Sequence, residues 1–231
     1  MSPIPHARLF MECGILYVLS LAATFANHAA PTPAAAEIAF VGVLAILLGG
    51  PYVCRRFVHR RSAEDAGAEI VLSLHDARLG LATSLLLVLP VGLGVWFWYT
   101  QIQGMTFAPA WHHYADLQPG ILESLVTQLF LVAMPEEFFY RGYAFATLRD
   151  GFSKAFAWSP RRTHITVIVV TSLMFAVAHT MGGDPVRLNT FFPALLFGLL
   201  RTQCDGILGC ILLHACCNLM MQLMLVHFVF A

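Results

Sequence analysis

Apolar runs close to the length of a bilayer crossing recur along this chain, and they leave its backbone one solution. Hydrocarbon offers no partner to a free N–H or C=O, so a run of roughly 20 apolar residues crosses as a helix that bonds to itself. Such runs lie at Leu9–Ala26, Ile38–Cys54, Leu79–Thr100, Ile121–Leu148, Ile165–Met181 and Ile207–Phe230, with a shorter one at Phe191–Arg201. The expected fold class is therefore all-α, a multispanning helical membrane protein with about seven (six to eight) transmembrane helices. Composition agrees. Hydrophobic residues make up 58% and charged residues 11% of the 231, mean hydropathy is +0.73, and a soluble domain would carry about 25% charge. A soluble enzyme is excluded on that ground, and so is a nucleic-acid partner, since no basic stripe is present.

Charge placement sets an expected topology. Arg55, Arg56, Arg60, Arg61 and Arg78 fall in one connection, and Arg149, Lys154, Arg161 and Arg162 in another. Basic loops stay in the cytoplasm, which puts Arg8 and Arg201 there too, with Arg187 outside and Arg141 in the membrane. The N-terminus is then cytoplasmic, the C-terminus is outside, and the first span reads as a retained signal anchor. Pro31 and Pro33 suggest a non-helical outer connection, and Gly49-Gly50-Pro51 a helix break. Residues from Ser62 to about His75 read as a capped amphipathic helix on the cytoplasmic surface. His112 and His113 fall in an interfacial outer loop. The six cysteines, at 13, 54, 204, 210, 216 and 217, have no metal-knuckle spacing and read as small buried hydrophobes.

Against this apolar background Pro135-Glu136-Glu137-Phe138-Phe139-Tyr140-Arg141 stands out. An ionisable side chain costs on the order of 2.5–3.5 kcal/mol in a span, so two adjacent glutamates need neutralisation, a polar cavity or both. They stand about 100° apart around a helix and so have different roles. Glu137 and Arg141, four residues apart, form an intrahelical pair, which leaves Glu136 as the free base. A glutamate in an apolar site can take a proton from water and return it to a leaving amine. The oxyanion formed in peptide hydrolysis needs preset donors, which a histidine N–H and an asparagine amide supply. His214 and Asn218 share one helical face, and His179 ends another apolar helix. Counted from the cytoplasmic ends at about 1.5 Å per residue, Glu136 lies about 20 Å deep, His179 about 24 Å and His214 about 12 Å. Convergence is thus expected only to within a little over two turns.

Taken together, Glu136-Glu137-x-x-x-Arg141, Phe175-x-x-x-His179 and His214-x-x-x-Asn218 resemble the three motifs of the CPBP intramembrane proteases, which include CAAX prenyl endopeptidases and bacterial Abi proteins. The resemblance covers roughly Gly120 to the C-terminus. It divides the chain into N-terminal membrane helices with a basic loop, 1–119, and a CPBP-like catalytic core, 120–231, within one membrane domain. It implies that Glu136 activates water with His179, that His214 and Asn218 hold the oxyanion, and that Glu137 and Arg141 support the site.

No cofactor is expected. Were a divalent metal present, Glu136, His179 and His214 would be its ligands, but no HExxH occurs and a metal would compete with the base. The expected partners are membrane lipids and a membrane-associated protein or peptide substrate, cut near a terminus: a C-terminal sorting tail, a CaaX-like tail or a peptide precursor. The expected setting is a bacterial inner membrane. The alternative is a non-enzymatic transporter or immunity scaffold with a polar intramembrane site, although no internal repeat of the transporter kind is present. The loop Met181-Gly-Gly-Asp-Pro is expected to help admit substrate.

Overall fold

A computed structural model describes residues 5–59, 73–108, 120–225 and 227–230. They are helical almost throughout: α1 His6–His28, α2 Pro33–Val58, α3 Leu74–Ile102, α4 at 121–156, α5 Pro160–His179, α6 Phe191–Arg201 and α7 Leu208–Leu225. Two short strands, β1 Met105–Phe107 and β2 Phe228–Phe230, pair antiparallel at the ends of α3 and α7. Five helices, α1, α2, α3, α5 and α7, are long and apolar enough to cross a membrane. Among the other two, α4 has the length but carries the charges. The 11 residues of α6 reach only about 16 Å, half a hydrocarbon core.

The outward surface is apolar. Leu85, Leu86 and Leu89 on α3 are each about three-quarters exposed, a face that water penalises and lipid tails cover. Inside, α1, α2, α4 and α5 meet around Cys13, Leu47, Phe139, Tyr143, Val167 and Phe175. The chain is an integral membrane protein of the multispanning helical class.

The helices α3 and α7 meet backbone to backbone. A Cβ on Gly80 would lie 2.5 Å from the Gly209 carbonyl oxygen, and one on Gly209 would lie 2.8 Å from the Asp76 carbonyl oxygen. Beside this crossing Asp76, fully buried, accepts from the amides of Asp205 and Gly206 at 3.0 and 2.8 Å. A carboxylate from α3 thus satisfies two backbone N–H groups of the turn that leads into α7.

Several local expectations are corrected. Pro33 does not prevent helix: it occupies the first turn of α2, where its missing N–H costs nothing, and the Thr32 hydroxyl accepts from the Ala35 amide at 3.2 Å. Gly49-Gly50-Pro51 does not break α2. A π-widened turn at Ala45–Gly49 precedes it, and the i→i+5 pattern absorbs the bond that proline cannot make. Arg55 is not a loop residue. It lies inside α2, 3% exposed, with its guanidinium 5.5 Å from the Tyr143 ring centroid. Leu74 and His75, read as the end of a surface helix, begin α3 under a Ser73 cap. Residues 62–72 of that expected helix and the loop with His112 and His113 lie outside the described residues.

Candidate active site

The glutamates sit in the middle of α4, where its geometry changes twice. Residues 128–133 and 138–144 are π-helical, with α-helical Met134–Glu137 between them. Such segments leave carbonyls without their usual partners and gather at functional sites. Two arginines from other helices reach the carbonyls this one frees. Arg201 Nε donates to the Arg141 carbonyl at 3.2 Å, and Arg55 Nη2 lies 3.4 Å from that of Gly142.

Glu137 and Arg141 are both fully buried. The expected pair is present, Arg141 Nε to Glu137 Oε2 at 3.3 Å. Arg141 also donates through Nη2 to the Ala194 carbonyl at 2.9 Å, and its guanidinium lies 4.9 Å from the Phe175 ring and 5.3 Å from that of Phe197. Hydrogen bonding, ion pairing and two aromatic faces together offset the cost of burying it.

The second oxygen of Glu137 has a partner that local spacing did not reveal. Its Oε1 accepts from His214 Nδ1 at 2.9 Å. A carboxylate only accepts, so the proton is on Nδ1, and Nε2 is turned toward the site. The imidazole is stacked on Phe197, centroids 4.9 Å apart, which fixes its plane. Glu137 is thus shared between a guanidinium and an imidazole, a correction to the simple intrahelical pair.

Glu136 is the less enclosed glutamate, its side chain 22% exposed, and its Oε2 faces two imidazoles: His179 Nε2 at 4.0 Å and His214 Nε2 at 3.8 Å. That oxygen is itself buried and has no hydrogen-bond partner among the described residues. His179 Nδ1 donates to the Phe175 carbonyl at 2.9 Å, so its neutral ring presents a lone pair at Nε2. The depth difference of about 12 Å counted along the helices does not keep the two imidazoles apart, since both reach one Glu136 oxygen.

The side chain of Asn218 bonds to a residue outside the expected set: its Nδ2 donates to Gln128 Oε1 at 2.9 Å. One turn farther, Gln222 Nε2 donates to Ser124 Oγ at 3.3 Å. Neither Gln128 nor Phe197 was legible as a site residue. A polar side chain in an apolar run was the available signal for Gln128, and the four-residue spacing of His214, Asn218 and Gln222 for the α7 stripe. No group of three His, Cys, Asp or Glu side chains among the described residues is arranged to hold a metal ion.

Beside His179 the chain continues through two 3₁₀ segments. Residues Thr180–Gly182 form a 3₁₀ turn, and Asp184 caps another at Pro185–Thr190. Gly183 has φ of +84°, which disfavours a side chain, and a Cβ on Gly182 would meet the His28 ring at 3.2 Å.

Residues 118–220 fit the family model described as type II CAAX prenyl endopeptidase Rce1-like, the segment that contains every proposed site residue. No protein of curated function and no solved structure matches the chain.

Proposed function

Since residues 118–220 match the family model of Rce1-like type II CAAX prenyl endopeptidases, we propose that the protein is an intramembrane endopeptidase that hydrolyses a peptide bond near the terminus of a membrane-associated protein, with Glu136 as the base. The observation that carries this reading is the unpartnered Glu136 oxygen between two imidazoles that come from different helices.

Glu136 Oε2 and His179 Nε2 are both acceptors, 4.0 Å apart, a spacing that one water molecule spans while donating a hydrogen to each. Glu136 takes one proton as the water oxygen attacks the scissile carbonyl carbon. The negative charge then moves onto the carbonyl oxygen. His214 is the donor for that oxygen: protonated, it balances the two carboxylates against the single guanidinium and offers Nε2–H to the site while Nδ1–H stays on Glu137. The amide of Asn218 is the second donor. Collapse of the intermediate breaks the C–N bond, and Glu136 returns its proton to the departing nitrogen. We further propose that no metal takes part, because the carboxylate that would ligate it is the base.

The substrate we propose is a C-terminal sorting tail, a CaaX-like tail or a peptide precursor, held in the membrane by its own apolar segment. The test compares protein termini in source cells that carry the wild-type protein or Glu136→Gln at matched expression. Termini that form only with the wild type name the substrate, and Glu136→Gln should lower their formation at least 1000-fold, about the loss of a central base with insertion intact. Chelator should leave the rate unchanged in the purified protein. Unaltered termini, or cleavage that needs added metal, would contradict the proposal.

A further inference from the structure

The contact between Gln128 and Asn218 has a geometry that sequence spacing conceals. On a regular helix nine residues at about 100° each place Gln128 and Glu137 on opposite sides. Both nevertheless meet α7: Glu137 bonds to His214 and Gln128 to Asn218, each at 2.9 Å. The six π-helical residues that begin at Gln128 explain this. An i→i+5 turn holds more residues and so rotates less per residue, which brings Gln128 back to the α7 side. With Ser124 and Gln222 the result is a ladder of polar rungs between the two helices.

From this geometry we infer that Gln128 is a positioning residue for the reaction: it accepts a hydrogen bond from Asn218 and thereby sets which way that amide turns. The inference rests on the proposed role of Asn218 in holding the oxyanion. A primary amide has a donor end and an acceptor end of nearly equal size, and only the donor end stabilises developing negative charge. With one N–H of Asn218 committed to Gln128 Oε1, the nitrogen is held on a known side, and its second N–H remains for the substrate oxygen. Without Gln128 the amide is free to reverse and to change rotamer, so its acceptor end faces the oxyanion for part of the time.

The test uses the full-length protein in lipid vesicles and two internally quenched probes, one ending in a farnesylated CaaX sequence and one in an unmodified apolar segment. Gln128→Met keeps length and removes the acceptor. It should lower kcat about 10- to 100-fold, the scale of a misplaced catalytic group, and leave KM within twofold. Gln128→Glu keeps an accepting oxygen and should restore kcat to within about threefold of wild type, on the same scale of reasoning. Joined to Asn218→Ala, Gln128→Met should add less than about twofold, because residues that act through one another are not additive. Should Gln128→Met fail to fold, Gln128→Ser, whose oxygen is too short to reach, replaces it with the same expected loss. Wild-type kcat in Gln128→Met or its Gln128→Ser replacement, failure of Gln128→Glu to restore kcat, or an equal further loss in the Asn218→Ala background, overturns the inference while a Glu136-dependent protease stands. Turnover of neither probe, or turnover indifferent to Glu136→Gln, overturns the proposed function and this inference with it.

Discussion

Glu137 ties two buried basic side chains together, since one of its oxygens meets Arg141 and the other His214. Glu137→Gln would leave a guanidinium buried beside a neutral amide, and breaking such a pair costs about 3–5 kcal/mol. The variant should therefore lose folded yield, measured as the monodisperse fraction after extraction in detergent, as well as activity. Glu136→Gln, which lacks an ion-pair partner inside hydrogen-bonding distance, should be extracted with wild-type yield. Equal yields for the two variants would contradict this division of roles. At the residue scale the sequence was read well where partners lie four apart on one helix. The Glu137–Arg141 pair was visible for that reason. The His214–Glu137 bond, between positions 77 apart in the chain, was not.

Among the helices, the crossing of α3 and α7 is the contact most sensitive to a single added side chain. Gly80→Val would drive a β-branched side chain into the backbone of Gly209, where nothing can turn aside. We expect α3 and α7 to separate there and the Asp76 contacts to residues 205 and 206 to be lost. Asp76→Ala tests the second part alone: it leaves two amides short of a partner, at about 1–3 kcal/mol each, and should lower the thermal midpoint of the purified protein without abolishing insertion. An unchanged midpoint would show that water replaces the carboxylate. Helix existence was legible from hydropathy. Helix irregularity was not: at 138–144 the π-widened turn frees carbonyls that Arg201 and Arg55 reach from other helices, and no local window contains those partners. Proline and glycine near Ala45–Gly49 were read as a break for the same reason: local rules cannot tell a break from a widened turn.

Across the whole molecule the proposed orientation follows from the basic connections, with Lys154 on the cytoplasmic side and Arg187 outside. Both are exposed. Cysteines introduced at these positions one at a time, with the six natural cysteines replaced, should react with an impermeant maleimide from opposite sides of the membrane; labelling from the same side would overturn the topology. Two of the eleven cationic residues assigned to the cytoplasmic side belong to the bundle instead: Arg55 is buried, and Arg201 bonds to the carbonyls of Arg141 and Cys204. Arginines that brace a helix from within carry no topological information.

What the amino-acid order determined by itself was the membrane, the helical class, the glutamate-bearing helix and the chain positions of Glu136, His179 and His214. Hydropathy and four-residue periodicity are local properties, and a span announces itself without reference to its neighbours. Tertiary structure alone decided that the two histidines face one carboxylate oxygen, that His214 leans on Glu137, and that Gln128 holds Asn218. Those facts depend on how far each helix is shifted and rotated against the next. That rotation is set by glycine contacts, aromatic stacking and widened turns spread across the bundle, and no window along the chain contains them together.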